Sequence, residues 1–198
     1  IKFLDRDGNQ NFPHQTSWGA STRMIGAIIM VHSDDNGLIL PPKIASKKVV
    51  IIPIGDSEEV REKTNLISEK LKIENISFFV DNSDKSPGYK FAENEVIGIP
   101  LRIEIGQRDI KNNLFTIARR DNYEKKNLSF SSNFIEEIKK TLDDIQTSLY
   151  NKAKKRMNEK TYTCSSLEEI EHTIKNTPGF IKRSEEHTSE LQSHSDLV

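Results

Sequence analysis

VVIIPIGDSEEVREKTNLISEKL, residues 49–71, joins two patterns that belong to different elements. The opening six residues are apolar and mostly β-branched, the mark of a strand buried on both faces. Gly55 ends that run, and Asp56 with Glu59 three residues on makes a capping-box-like helix start. Val60, Thr64, Ile67 and Leu71 then recur at helical spacing and share one face. A strand feeding a helix in this way is a βα unit.

The pattern repeats downstream. ISFFVD (76–81) reads as the next strand, KSPGYK (85–90) as a turn and FAENEVIG (91–98) as a short helix. IPLRIEIG (99–106) alternates, with Leu101, Ile103 and Ile105 on one side. LFTIARR (114–120) and KKNLSF (125–130) flank DNYE as a hairpin. Asn133 with Glu136 is placed to cap a helix whose Phe134, Ile138, Leu142, Ile145 and Leu149 form an apolar stripe. Alternating strands and helices over about 100 residues specify an α/β domain with a mixed sheet flanked by helices. A basic stretch, KAKKRMNEK (152–160), and a short strand and helix within 161–176 follow it.

Upstream, residues 1–46 read as a strand, a motif, a helix and a Pro-rich exit. Asp7-Gly8-Asn9 is a turn signal, and MIGAIIMVH after Arg23 suits a buried strand or a buried helix by periodicity; a helix over 22–32 is favoured, since it fixes an Arg at its start. The first residue is Ile, which gives the start the look of a cut from something longer. The last sixteen residues, RSEEHTSELQSHSDLV (183–198), lack apolar periodicity and read as a translated library adapter outside the fold. They carry a net −3, so without them the chain's −1 becomes +2. Either balance permits a nucleic-acid partner and demands none. With 34% hydrophobic and 30% charged residues, and no apolar run of bilayer length, the composition is that of a water-soluble cytoplasmic protein without a membrane partner. One cysteine, Cys164, excludes an internal disulfide framework and a cysteine zinc site.

QTSWGASTR (15–23) holds the first candidate chemistry. Gly19 lets backbone lie against a ligand, Trp18 is a flat apolar wall, and Arg23 offers planar donors to phosphate or a purine face. The same residues also serve as plain structure. Asp34, Asp35 and Asn36 before Gly37 lack the remaining ligands of a calcium loop and read as a turn. His14 and His32 have no ligand-spaced partner, and Cys164 reads as a small buried residue. Between Arg108 and Lys126 six basic residues face three acidic ones, either a phosphate-binding face or a solvated hairpin. SPGYKF (86–91) sets an aromatic and a Lys at a turn, suited to an unpaired base or to nothing more than the surface.

Taken together, these strings resemble a known family. FPHQTSWGASTRMIGAIIMVHSDDNGLILPPKIA (12–45) is similar to the motif 3 region of class II prolyl-tRNA synthetases. VVIIPIG, SPGYKF, GIPLRIEIGQRD and FTIARRD fall in the order and spacing of their anticodon-binding domain, in the archaeal and eukaryotic-type form. The resemblance covers residues 1 to about 182. It implies a proline–tRNA ligase with ATP and magnesium, proline and tRNA(Pro) as substrates and partners, acting through a homodimeric parent. It divides the chain into the end of a class II catalytic domain (1–46), an anticodon-binding domain (47–150) and the start of a C-terminal domain (151–182).

By the same resemblance Ser21 and Arg23 contact ATP, and Ser17, Trp18 and Gly19 line the proline pocket. Lys90, Glu95, Arg102 and Arg108 match polar positions of the anticodon-reading strings. No side chain here is implied as an acid or base, because positioning and electrostatics carry the phosphate chemistry. Motifs 1 and 2 would precede residue 1, so this segment alone is expected to be inactive, and Cys164 does not supply the zinc site of some members. Gln107 stands where the family pattern has Pro, which leaves the loop conformation there open. The rival reading is a non-catalytic tRNA-binding accessory module on the same scaffold.

Overall fold

The computed structural model describes residues 2–131 and 133–182. The reading of 183–198 as an adapter tail lies outside these residues.

The chain opens with a small antiparallel pair, β1 (Phe3–Leu4) and β2 (Gln10–Asn11). Asp5 Oδ1 accepts the amides of Asp7 and Asn9 and so folds the turn between them. After an extended, exposed stretch comes α1 (Arg23–His32), within the helix expected at 22–32. It is not buried: Ala27, Ile28 and His32 are only partly covered, the other residues of α1 are exposed, and Met30 is 77% exposed. An apolar helix needs a partner surface on every side, and the described residues supply too little of one.

A five-stranded mixed sheet follows: β3 (Val49–Ile54), β4 (Phe78–Val80), β5 (Leu101–Gly106), β6 (Leu114–Arg119) and β7 (Lys125–Ser129). Their order is β4-β3-β5-β6-β7, parallel among the first three and antiparallel beyond β5. The helices are α2 (Glu58–Ile73), α3 (Pro87–Val96), α4 (Gln107–Lys111) and α5 (Phe134–Glu159). Pleating sends alternate side chains to opposite faces. Val49, Ile51, Leu101, Ile103, Ile105, Phe115, Ile117 and Leu128 point to the larger core, where Val60, Ile67 and Leu71 of α2 and the whole predicted stripe of α5 meet them. Val50, Ile52 and Phe79 point the other way, toward Ile99 and Phe91 of α3. A second unit closes the described chain: β8 (Thr161–Thr163), α6 (Leu167–Asn176) and β9 (Phe180–Lys182), with β8 parallel to β9. Cys164 is buried there, its Sγ 3.6 Å from Thr173 Oγ1. Among the described residues no helix is long and apolar enough to cross a membrane.

Several local expectations shift. Ser57, not Asp56, caps α2 by accepting from the Val60 amide, while Asp56 pairs with Arg61. KSPGYK is not a separate turn: Pro87 is the first residue of α3, where a missing amide costs nothing and its fixed φ fits. Asn133 stands at the start of α5 without a side-chain cap bond. That helix runs on to Glu159, because Lys152–Glu159 are good helix formers although the apolar stripe stops at Leu149. Gln107 opens α4 after Gly106, a first-turn position that proline also suits, so the departure from the pattern changes nothing locally.

Phe115 anchors the larger core, fully buried, with the rings of Phe130 and Phe134 at 4.9 and 5.4 Å. Phe115→Ala should cost about 3–5 kcal/mol, read as a lower urea midpoint with an unchanged slope.

Candidate nucleic-acid interface

Helix α3 covers the sheet's second face only over β3 and the neighbouring part of β5. On the uncovered part, register sets Arg102, Ala118 and Lys125 in one cross-strand row and Glu104, Thr116 and Asn127 in the next. Arg102 and Glu104 are buried charges on a central strand, and such charges need partners. Arg102 Nε donates to Glu104 Oε1 at 3.0 Å, and Arg102 Nη1 donates to Glu95 Oε1 at 2.7 Å from the last turn of α3. Lys125 Nζ reaches both oxygens of Glu104 at 3.1 and 3.2 Å. The guanidinium lies 4.2 Å from the ring centre of Phe91, one helical turn before Glu95, and Lys125 Nζ lies 5.5 Å from the same ring.

Capacity is left over. Among the described residues Arg102 Nη2 has no acceptor and Glu95 Oε2 no donor, and the Glu95 side chain is 26% exposed. A free donor therefore sits beside a free acceptor at the edge of an aromatic ring, an arrangement that can bind the edge of a planar polar ring.

The four anticodon candidates thus separate. Glu95 and Arg102 touch each other. Lys90 is only 5% exposed, on the sheet-facing side of α3 with Asn94, and its Nζ donates to the Asp81 carbonyl at 3.0 Å. Arg108 is exposed on α4, beyond the end of β5 and outside this contact set. Of the two readings open for Arg108–Lys126 the phosphate face loses ground, because its cations are largely neutralised: Arg119 pairs with Asp121, Arg120 with Asp34, Lys125 with Glu104 and Lys126 with Glu137. Tyr89, the aromatic of SPGYKF that faces solvent, carries Lys85 over its ring at 4.7 Å. Sequence reading misses Phe91 and Glu104, and takes Lys125 only as one of six basic residues and not as the partner of Glu104. The alternation of Arg102 and Glu104 was the available signal, since two charges on one face of a buried strand require each other.

The upstream candidates lie apart from this face. Ser17, Trp18, Gly19, Ser21 and Arg23 are all exposed, Trp18 at 92%. Ser21 Oγ accepts weakly from the Arg23 amide at 3.4 Å, and Arg23 is the first residue of α1, where backbone amides are open to an anion. A separate groove of about 690 Å³ at the ends of β3 and β4 has its cations Arg61 and Lys85 already paired with Asp56 and Glu93, and Lys90 bonded to the Asp81 carbonyl. Among the described residues no three His, Cys, Asp or Glu side chains gather as a metal site.

Residues 48–141 match the anticodon binding domain family. A proline–tRNA ligase of Ruminiclostridium cellulolyticum is 48% identical over 183 residues, 92% of this chain and 38% of that protein. One from Clostridium botulinum is 49% identical over 184 residues, with the same coverage. The crystal structure of prolyl-tRNA synthetase from Cryptosporidium parvum, complexed with L-proline and AMP, superposes with a TM-score of 0.80 at 34% identity over 97% of this chain and 43% of that one. Along nearly its whole length, then, the chain is similar to prolyl-tRNA synthetases, and residues 48–141 carry their anticodon binding domain. It spans 38% of the length of these curated relatives, and the similarity reaches well beyond residues 48–141.

Among the described residues one ion pair ties the upstream segment to the sheet domain. Asp34, in the turn after α1, receives Arg120 Nη1 and Nη2 at 2.8 and 2.6 Å and the Tyr123 hydroxyl at 2.8 Å. The bonds from Arg120 hold the Asp34 carboxyl well below the usual carboxylate range. A carboxyl depressed on folding adds stability that is complete above its unfolded pKa of roughly 3.9 and is lost as pH falls toward the folded value. The melting temperature of the wild type should therefore fall more steeply below that pH than that of Asp34→Asn. At neutral pH the variant should be less stable by about 1–3 kcal/mol, a range for bonds to a charged group reduced by the exposure of Asp34.

Proposed function

We propose that this chain is the anticodon-reading part of a proline–tRNA ligase, joined to a segment of that enzyme's ATP and proline site. The observation that carries the reading is the unspent donor of Arg102 beside the unspent acceptor of Glu95, next to Phe91. Proline codons begin with two cytidines, so the proline anticodon carries two guanosines. Guanine presents a row of donors, N1–H and N2–H, and acceptors at O6 and N7. A carboxylate accepts from the first set and a guanidinium donates to the second. Splayed bases of a loop are available for such contacts on their Watson–Crick edges.

Glu95 and Arg102 then read base edges, with Glu104 and Lys125 holding Arg102 in register and Phe91 supplying a stacking surface. Lys90 supports the reading indirectly by fixing α3 to the end of β4. Arg108, exposed and outside the pair, is suited to a phosphate. In the parent enzyme Arg23 and Ser21 would hold ATP with its magnesium at the start of α1, and Ser17, Trp18 and Gly19 would line the proline pocket. Arg23 there meets charge developing on the triphosphate as proline is activated to the adenylate and passed to the terminal ribose of tRNA(Pro). The division into 1–46, 47–150 and 151–182, a homodimeric parent and a cytoplasmic setting belong to the same proposal. An accessory module without ligase activity has less support, because the likeness to ligases extends past the anticodon domain.

The test is binding of the 198-residue chain to tRNA(Pro) and to the same tRNA with its anticodon changed, at one salt concentration. The proline anticodon should be preferred. Arg102→Ala should erase about 1–3 kcal/mol of that preference, whereas Arg108→Ala should weaken both RNAs alike and flatten the salt dependence. Equal binding of both RNAs by the wild type would overturn the reading.

A further inference from the structure

The last turn of α3 is held from outside by the segment that leaves α1. The final carbonyls of a helix have no partner within it and must find donors elsewhere. Here Arg120 Nε donates to the Glu95 carbonyl at 3.0 Å, Leu38 N to the Val96 carbonyl at 3.0 Å and Leu40 N to the Gly98 carbonyl at 3.2 Å. The approach is close: a Cβ on Gly37 would lie 2.5 Å from Val96 Cα, and one on Gly98 2.6 Å from Leu38 Cβ, and both glycines have positive φ. Arg120 is 3% exposed, and beyond Glu95 its guanidinium also holds both Asp34 oxygens and the Tyr123 hydroxyl. Tyr123 sits at φ 61°, a costly conformation for a bulky residue, with its hydroxyl bridging Arg120, Asn36 and Asp34. One residue, Ser33, separates Asp34 from the end of α1.

We propose that Arg120 is a positioning residue that couples the anticodon face to α1, through the Glu95 carbonyl on one side and Asp34 on the other. The proposal rests on the reading of Glu95 as an anticodon contact. A rigid joint of this kind cannot let the last turn of α3 settle on a base without moving the foot of α1. Arg23 stands at the other end of that helix, about 15 Å away at 1.5 Å per residue. Lysine cannot replace Arg120, because one ammonium cannot span the Glu95 carbonyl and both oxygens of Asp34.

The experiment is hydrogen exchange on the intact chain, with and without a stem-loop RNA carrying the proline anticodon. In the wild type the RNA should protect α3 and also slow exchange in the second half of α1 by about fivefold or more, the low end of ordinary coupling. In Asp34→Asn and Arg120→Lys the RNA should still protect α3 while α1 no longer responds. Loss of structure alone would raise α1 exchange with and without RNA by the same factor, and would leave the response to RNA intact. An α1 response that persists in both variants, or one absent from a wild type whose α3 is protected, overturns the coupling and leaves the anticodon reading standing. No protection of α3 and no preference for the proline anticodon would sink both. Should the two variants fold poorly, Tyr123→Phe, which removes only the shared hydroxyl, takes their place, and an undiminished α1 response there also counts against the proposal.

Discussion

Strand β5 can sit at the centre of the sheet only because Arg102 and Glu104, on the face opposite Leu101, Ile103 and Ile105, satisfy each other. Both side chains are nearly closed to water, and an unpaired charge there would cost several kcal/mol, on the order of 3–5. Glu95 and Lys125 extend the pair into an alternating row of charges, and Phe91 covers the guanidinium. Such a network is rarely the most stable way to fill a site, since apolar residues of the same volume often serve equally well. What it leaves unspent is a donor and an acceptor side by side at the rim.

Much of this fold is legible in the sequence because its signals are periodic. The β-branched run at 49–54, the spacing of Val60, Thr64, Ile67 and Leu71, and the stripe from Phe134 to Leu149 all report burial directly, and every residue of the two helical stripes is buried. Where no burial signal exists, boundaries move. Helix α5 continues for ten residues past its last buried leucine, and α3 begins at a proline that reads equally well as a turn. The burial expected of α1 fails for a different reason, because apolar composition reports a need for cover and not where the cover comes from.

Site residues are less legible, since charge in a sequence carries no partners. Six basic residues between Arg108 and Lys126 suggest a phosphate face, yet four of them are tied to carboxylates, Arg120 to one 86 residues away. Lys90 is visible in the SPGYKF string, but its burial on the sheet-facing side of α3 is not. Phe91, in the same string, has the Arg102 guanidinium stacked on it, which only the crossing of α3 over β5 can produce. Family likeness points to Glu95 and Arg102 as separate polar positions, and the structure makes them one unit.

The central claim is that the Glu95 carboxylate accepts from guanine. It is tested most directly by replacing the anticodon guanosines of the stem-loop RNA, one at a time, with inosine, which lacks the 2-amino donor and keeps O6, N7 and N1–H. Crossing this change with Glu95→Gln gives a double-mutant cycle. At one of the two positions the inosine penalty should be large for the wild type and small for the variant, a coupling of about 1–3 kcal/mol. Penalties that are the same in both proteins at both positions would mean that Glu95 does not accept from the guanine 2-amino group, which contradicts this reading of the face.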